Sequence, residues 1–152
     1  MNHEKKSDLA VAVAEIESLA AKNKPPTRQH ARAVLLALGE RILEGDSTAS
    51  APVIERLSRA LRRFPEDWAR AVHDELVLAC TEHIQSVDPR YLDLPRYDFE
   101  YTVTARERLE ARLQAASHLD LAPSEDLLNR VARADALLEP YLRKRAGKPA
   151  SN

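Results

Sequence analysis

Residues 87–103 read Val-Asp-Pro-Arg-Tyr-Leu-Asp-Leu-Pro-Arg-Tyr-Asp-Phe-Glu-Tyr-Thr-Val, and whether they form a strand decides the fold class. Residues 88–103 hold three of the four Tyr and one of the two Phe, so the segment differs in kind from the rest of the chain. Tyr97, Phe99, Tyr101 and Val103 alternate with Asp98, Glu100 and Thr102, the two-residue period of a half-buried strand. Arg90–Pro95 and Arg96–Tyr101 form a weak six-residue echo. A strand needs a neighbour, and no second stretch with this alternation occurs, so the segment reads as a strap laid over helices. Loops longer than about 12–15 residues are uncommon in compact domains unless they have a task. The aromatics are therefore expected to hold the strap down. Arg90, Asp93, Arg96, Asp98 and Glu100 are the candidate partner-binding residues on its outer side.

Outward from this segment the pattern is helical. Leu9, Ala12, Val13, Ile16, Leu19 and Ala20 form one stripe over Asp8–Lys22, closed by Asn23-Lys24-Pro25-Pro26. A second helix spans Thr27–Leu43, striped by Ala31, Val34, Leu35, Leu38 and Ile42. Gly39 lies inside that stripe, where a neighbouring helix could approach closely, and Gly45 is the stop. After a small polar loop at 46–51, Pro52 opens a third helix with Ile54, Leu57, Leu61 and Phe64 inward. Pro65-Glu66-Asp67 opens a fourth, with Trp68, Val72, Leu76, Ala79, Cys80, His83 and Ile84 on one face. Thr104 and Glu107 make a capping box for a fifth helix. Ser124 caps a sixth, which Pro140 should kink or end early.

The expected fold is all-α: one domain over 8–145, an irregular antiparallel bundle of five to six helices, with flexible tails at 1–7 and 146–152. Composition agrees. The 152 residues contain 24 Ala and 21 Leu against 13 Val plus Ile, and only 3 Gly, a balance that favours unbranched helix formers. Three scattered glycines cannot build a phosphate-cradling loop.

Net charge is −1, so no global field draws the chain to nucleic acid or an acidic membrane. Residues 25–63 carry seven Arg against four acids, and residues 64–104 nine acids against three Arg. That segregation is expected to be matched internally between packed helices, ahead of forming an acidic surface for a basic partner. A lone Cys80 fits a reducing compartment, and no apolar run approaches the roughly 20 residues of a membrane span, so the expected location is cytoplasmic.

Candidate chemistry is sparse. No Glu-x-x-His occurs, so a di-iron helical site lacks its ligands. Cys80 and His83 would need two more ligands from His30, His73 or His118 for zinc. Their bland alternative is a small buried hydrophobe and a hydrogen-bonded ring. No metal and no cofactor are expected. His73, Asp74, Glu75 and Glu82 spread around the fourth helix and read as a solvated acidic face. The third helix aligns Arg56, Arg59 and Arg63, a donor row that could meet phosphates, but its neighbours lack helix-turn-helix spacing. The leading expectation is an adaptor or regulatory protein without catalysis, whose partner is another protein with a basic surface. Self-association is compatible with it. The alternatives are nucleic-acid association through the Arg row, then a small-molecule enzyme using His73, His83 and the acids near them.

Overall fold

In a computed structural model, residues 8–46 and 50–146 are described. They form seven helices and no strand: α1 Asp8–Ala21, α2 Arg28–Leu43, α3 Ala51–Ala60, α4 Pro65–Ser86, α5 Pro89–Leu92, α6 Phe99–His118 and α7 Glu125–Ala146. The expected tail at 1–7, residues 147–152 of the expected tail at 146–152, and residues 47–49 of the expected polar loop lie outside the described residues, while Ala146 is the last residue of α7.

Local punctuation closes the helices. The residues after α1, α2 and α6 adopt positive φ at Asn23, Gly45 and Asp120. In each case the following amide bonds back across the last turn: Lys24 to Leu19, Asp46 to Arg41 and Leu121 to Ala116. This is the Schellman closure, which satisfies carbonyls the helix itself leaves unpaired. Ser124 Oγ accepts from the Leu127 amide at the start of α7.

The described helices number seven and not the expected five to six, because the segment expected as a strap contains the short helix α5; α3, expected to reach Phe64, ends at Ala60. Two further boundaries differ from expectation. The helix expected from Thr104 begins five residues earlier, because the Asp98 carboxylate accepts from the amides of Glu100 and Tyr101 and nucleates α6 there. The strand-like alternation is thus overridden by a cap, since an unpaired strand would leave its backbone groups without partners. Pro140 also does not end the last helix, which continues to Ala146. Leu138, Tyr141 and Leu142, either side of it, pack on Val87, Leu92 and Phe99, and that burial offsets the hydrogen bond the proline removes.

Helix α2 packs against α1, α4 and α6, α3 lies on α1, and α4 touches α6 and α7. Buried side chains follow α4. Trp68, Val72 and Leu76 meet Leu9, Val13, Ile16, Leu35 and Leu38. Ala79 and Cys80 meet Leu109, Leu127 and Val131. Past its end, Val87 meets Leu92, Ala134 and Leu138. No helix among the described residues is long and apolar enough to cross a membrane.

Candidate functional site

The corner between α5 and α6 places all five candidate partner residues near one another in sequence but gives several of them local tasks. Asp88 caps α5 by accepting from the Arg90 amide, and the Arg90 guanidinium folds back onto the same carboxylate at 2.8 Å. That hydrogen bond holds the Asp88 carboxyl below its ordinary range and raises Arg90. Asp93 accepts from the Tyr141 hydroxyl at 2.7 Å, which pushes the Tyr141 phenol up. Asp98 is the α6 cap, while Arg96 and Glu100 are exposed. The aromatics divide. Tyr97 and Phe99 are half-buried and meet edge to face at 5.1 Å, with Tyr141 at 6.2 Å and Arg145 over the Phe99 ring. Tyr101, expected inward, is 68% exposed, because in a helix it turns away from the face that Phe99 and the buried Thr102 share. A cavity of ≈470 Å³ opens here, lined by Leu92, Leu94, Tyr97, Phe99, Lys144 and Arg145 among others.

The arginine row of α3 is partly occupied. Arg56 grips Glu17 of α1 through two hydrogen bonds, at 2.6 and 3.1 Å, and Arg59 pairs with Glu55 one turn back. Arg63 donates to Asn23 at 3.4 Å. The donor row expected on α3 is thus engaged in part, Arg56 in holding α3 to α1 and Arg59 within its own helix.

The reading of Glu75 as part of a solvated acidic face is overturned. Its side chain is 1% exposed and accepts from Arg28 of α2 at 2.8 Å. Arg112 of α6 lies 2.9 Å away, with its Nε–H not aimed at the carboxylate, so that contact is Coulombic and not a hydrogen bond. Glu75 therefore ties α2, α4 and α6 together, and Arg28–Glu75 is one internal match of the kind expected between the basic and acidic stretches. The signal was present: Glu75 lies three residues after Val72 and four before Ala79, on the inward stripe.

A second pair, buried on the histidine side and half-buried at its carboxylate, joins α4 to α7. The Nε2 of His83, a side chain 1% exposed, lies 2.8 Å from Asp135, whose carboxylate also takes two hydrogen bonds from Arg106. Burial opposes charge on Asp135, but Arg106 and His83 outweigh it and hold the carboxyl below its ordinary value. Burial lowers the His83 pKa, with Asp135 opposing. In the neutral ring that burial favours, the Asp135 carboxylate places the proton on Nε2, and Nδ1 is then a buried acceptor with no partner among the described residues. His73, exposed and beside Asp74, is ten residues away on the same helix, roughly 15 Å by helical rise. The two histidines do not form one site. Cys80 is fully buried among apolar side chains, which pushes its thiol pKa up. His30 accepts from the Thr27 amide at the start of α2, and His118 is exposed in the last turn of α6. Among the described residues no three His, Cys, Asp or Glu side chains group as metal ligands.

His83 also lines a cleft of ≈270 Å³ between α4 and α6, together with Arg32, Tyr101, Arg108 and Arg112. Comparison with family models, with characterised proteins and with solved structures returns no match.

Proposed function

We propose that the protein is a small cytoplasmic interaction protein, an adaptor or regulatory subunit without catalysis of its own, and that it meets its partner at the corner between α5 and α6. The helices are taken here as one domain, an irregular antiparallel bundle in which this corner is the long connection. One observation carries the proposal: Tyr91, Leu94 and Tyr101 are 52%, 53% and 68% exposed within eleven residues of chain. Exposed apolar side chains scattered singly are ordinary, and three large ones this close along the chain are what the proposal rests on. Tyrosine and arginine are the residues that interfaces concentrate, and Arg90 and Arg96 flank the group.

The corner carries both signs of charge. Asp93, Asp98 and Glu100 stand beside Lys144 and Arg145 of the α7 terminus, so acids alone do not set the partner's sign. The partner proposed is a protein presenting an apolar pocket with a polar rim, and the tyrosines are its anchors. Replacing Tyr91, Leu94 and Tyr101 together by Ala should leave the melting temperature nearly unchanged, since surface changes usually cost within about 0.5 kcal/mol each. The same variant should lose a partner that the wild-type chain captures from native cells and that crosslinks to a photoreactive group at position 101. Capture undiminished by the triple change would overturn the proposal. So would salt-sensitive duplex DNA binding that disappears on reversing Arg59 and Arg63, which would favour nucleic acid.

A further inference from the structure

The cleft between α4 and α6 is built by matching helical stripes. Glu82 and His83 face it from α4, Arg108 and Arg112 from α6, and Arg32 reaches in from α2. Two features of it are unresolved within the protein. The first is charge. Arg32 and Arg108 make no hydrogen bond or ion pair with any described residue, and they stand close enough to Arg112 to act on it. Burial, then these two neighbours, depress the proton affinity of Arg112, opposed by Glu75 and Glu82. Two guanidiniums without a partner among the described residues, Arg32 and Arg108, thus share one cleft with Arg112, which Glu75 neutralises in part, and a single exposed acid, Glu82, stands on its wall. The second is a missing donor. Nδ1 of His83, whose ring lines the cleft, is buried and without a partner among the described residues while Asp135 holds Nε2, and a buried polar atom left so carries a desolvation cost unless something fills the place.

A ligand that answers both must bring negative charge and a proton to donate. Carboxylates and phosphodiesters bring charge alone at neutral pH. Orthophosphate can bring both, since a substantial fraction still carries a proton at neutral pH, and a phosphomonoester, whose last proton leaves near pH 6, can do so through a minority form; guanidinium forks match the oxygens of either in pairs. We propose that this cleft binds a small phosphate-bearing molecule, its oxygens held by Arg32, Arg108 and Arg112 and its P–OH donating to His83 Nδ1. At ≈270 Å³ the space takes a phosphate with a short substituent and excludes a nucleotide-sized ligand from full burial.

The test uses the full chain and reads amide NMR shifts and calorimetry. Millimolar inorganic phosphate should shift the amides of Glu82, His83, Arg108 and Arg112. Sulfate, with the same shape but no proton at neutral pH, should bind about tenfold more weakly, the loss expected for one hydrogen bond to a charged group. Glycerol phosphate binding more tightly than inorganic phosphate would assign the site to an ester, and the reverse order to the free anion; either supports the proposal. Arg32→Gln and Arg108→Gln, at residues that make no hydrogen bond to any described residue, should each weaken phosphate about tenfold without moving the melting temperature. His83→Gln should abolish the preference over sulfate, and Arg112→Lys covers the case in which the histidine variant fails to fold. Equal affinity for phosphate and sulfate, or no shift at these amides, would overturn the proposal.

Discussion

Gly39 of α2 lies directly against the backbone of Ala111 in α6: a Cβ placed on Gly39 would stand 1.9 Å from the Ala111 carbonyl oxygen and 2.4 Å from its carbon. The two helices meet backbone to backbone, which only glycine permits, and this contact sets how deeply α6 seats between α2 and α4.

Gly39→Ala should therefore destabilise the protein, although alanine is the better helix former by about 0.5–1 kcal/mol. The clash is with main chain and cannot be relieved by a rotamer change, so a net loss of about 2 kcal/mol or more is expected, in the range of overpacked cores. Urea denaturation measures it. A variant as stable as the wild type would mean that the helices separate freely.

Removing Glu75 should be costly because it strands two arginines. Glu75→Ala is expected to lose about 3–5 kcal/mol, as when one partner of a buried ion pair is deleted. Replacing Glu75 by Leu together with Arg112 by Met should recover much of the loss, since an apolar pair of similar volume needs no desolvation. A double-mutant cycle with no coupling would show that the carboxylate is not shared.

Acid should weaken the fold in the range where His83 titrates. Its folded pKa lies below the ordinary value of 6.5, so the unfolded chain binds the proton more readily. The stabilisation is complete above about pH 6.5 and declines as pH falls toward the folded value, because unfolding then takes up a proton. Asp135, also lowered from its ordinary 3.8, acts in the same direction but only at lower pH. His83→Gln, which can still donate to Asp135, should flatten the slope of stability against pH below 6.5. Equilibrium denaturation across that range would detect an unchanged slope, which would place the proton elsewhere.

The acids of the corner should not behave alike. Asp98→Ala removes the α6 cap and is expected to cost about 1 kcal/mol. Glu100→Lys should cost less, as an exposed change that removes one favourable charge near the helix N-terminus. Phe99→Ala should lose about 1–3 kcal/mol, less than a fully buried ring, because Phe99 is only half-buried against Tyr97 and Tyr141. Thermal melts of the three variants give the ranking, and a silent Asp98→Ala would move the start of α6 back toward Thr104.

What the chain determines by itself here is whatever depends on neighbours in sequence. The inward stripes of α1, α2 and α4, the stop at Gly45, the cap at Ser124 and the small residue at Gly39 were all legible, since period, backbone freedom and capping act within a turn or two. The start of α6 was legible in principle, in an Asp two and three residues ahead of the amides it caps, but the alternation around it carried the stronger strand signal. What only tertiary structure decided depends on partners far along the chain. Glu75 becomes a buried tie because Arg28 and Arg112 arrive from α2 and α6. His83 acquires its tautomer from Asp135, 52 residues away. The α3 arginines lose their freedom to Glu17 and Asn23. Charge and hydrogen bonding act through space over a few ångströms, and which groups come within that distance is settled only when the helices pack.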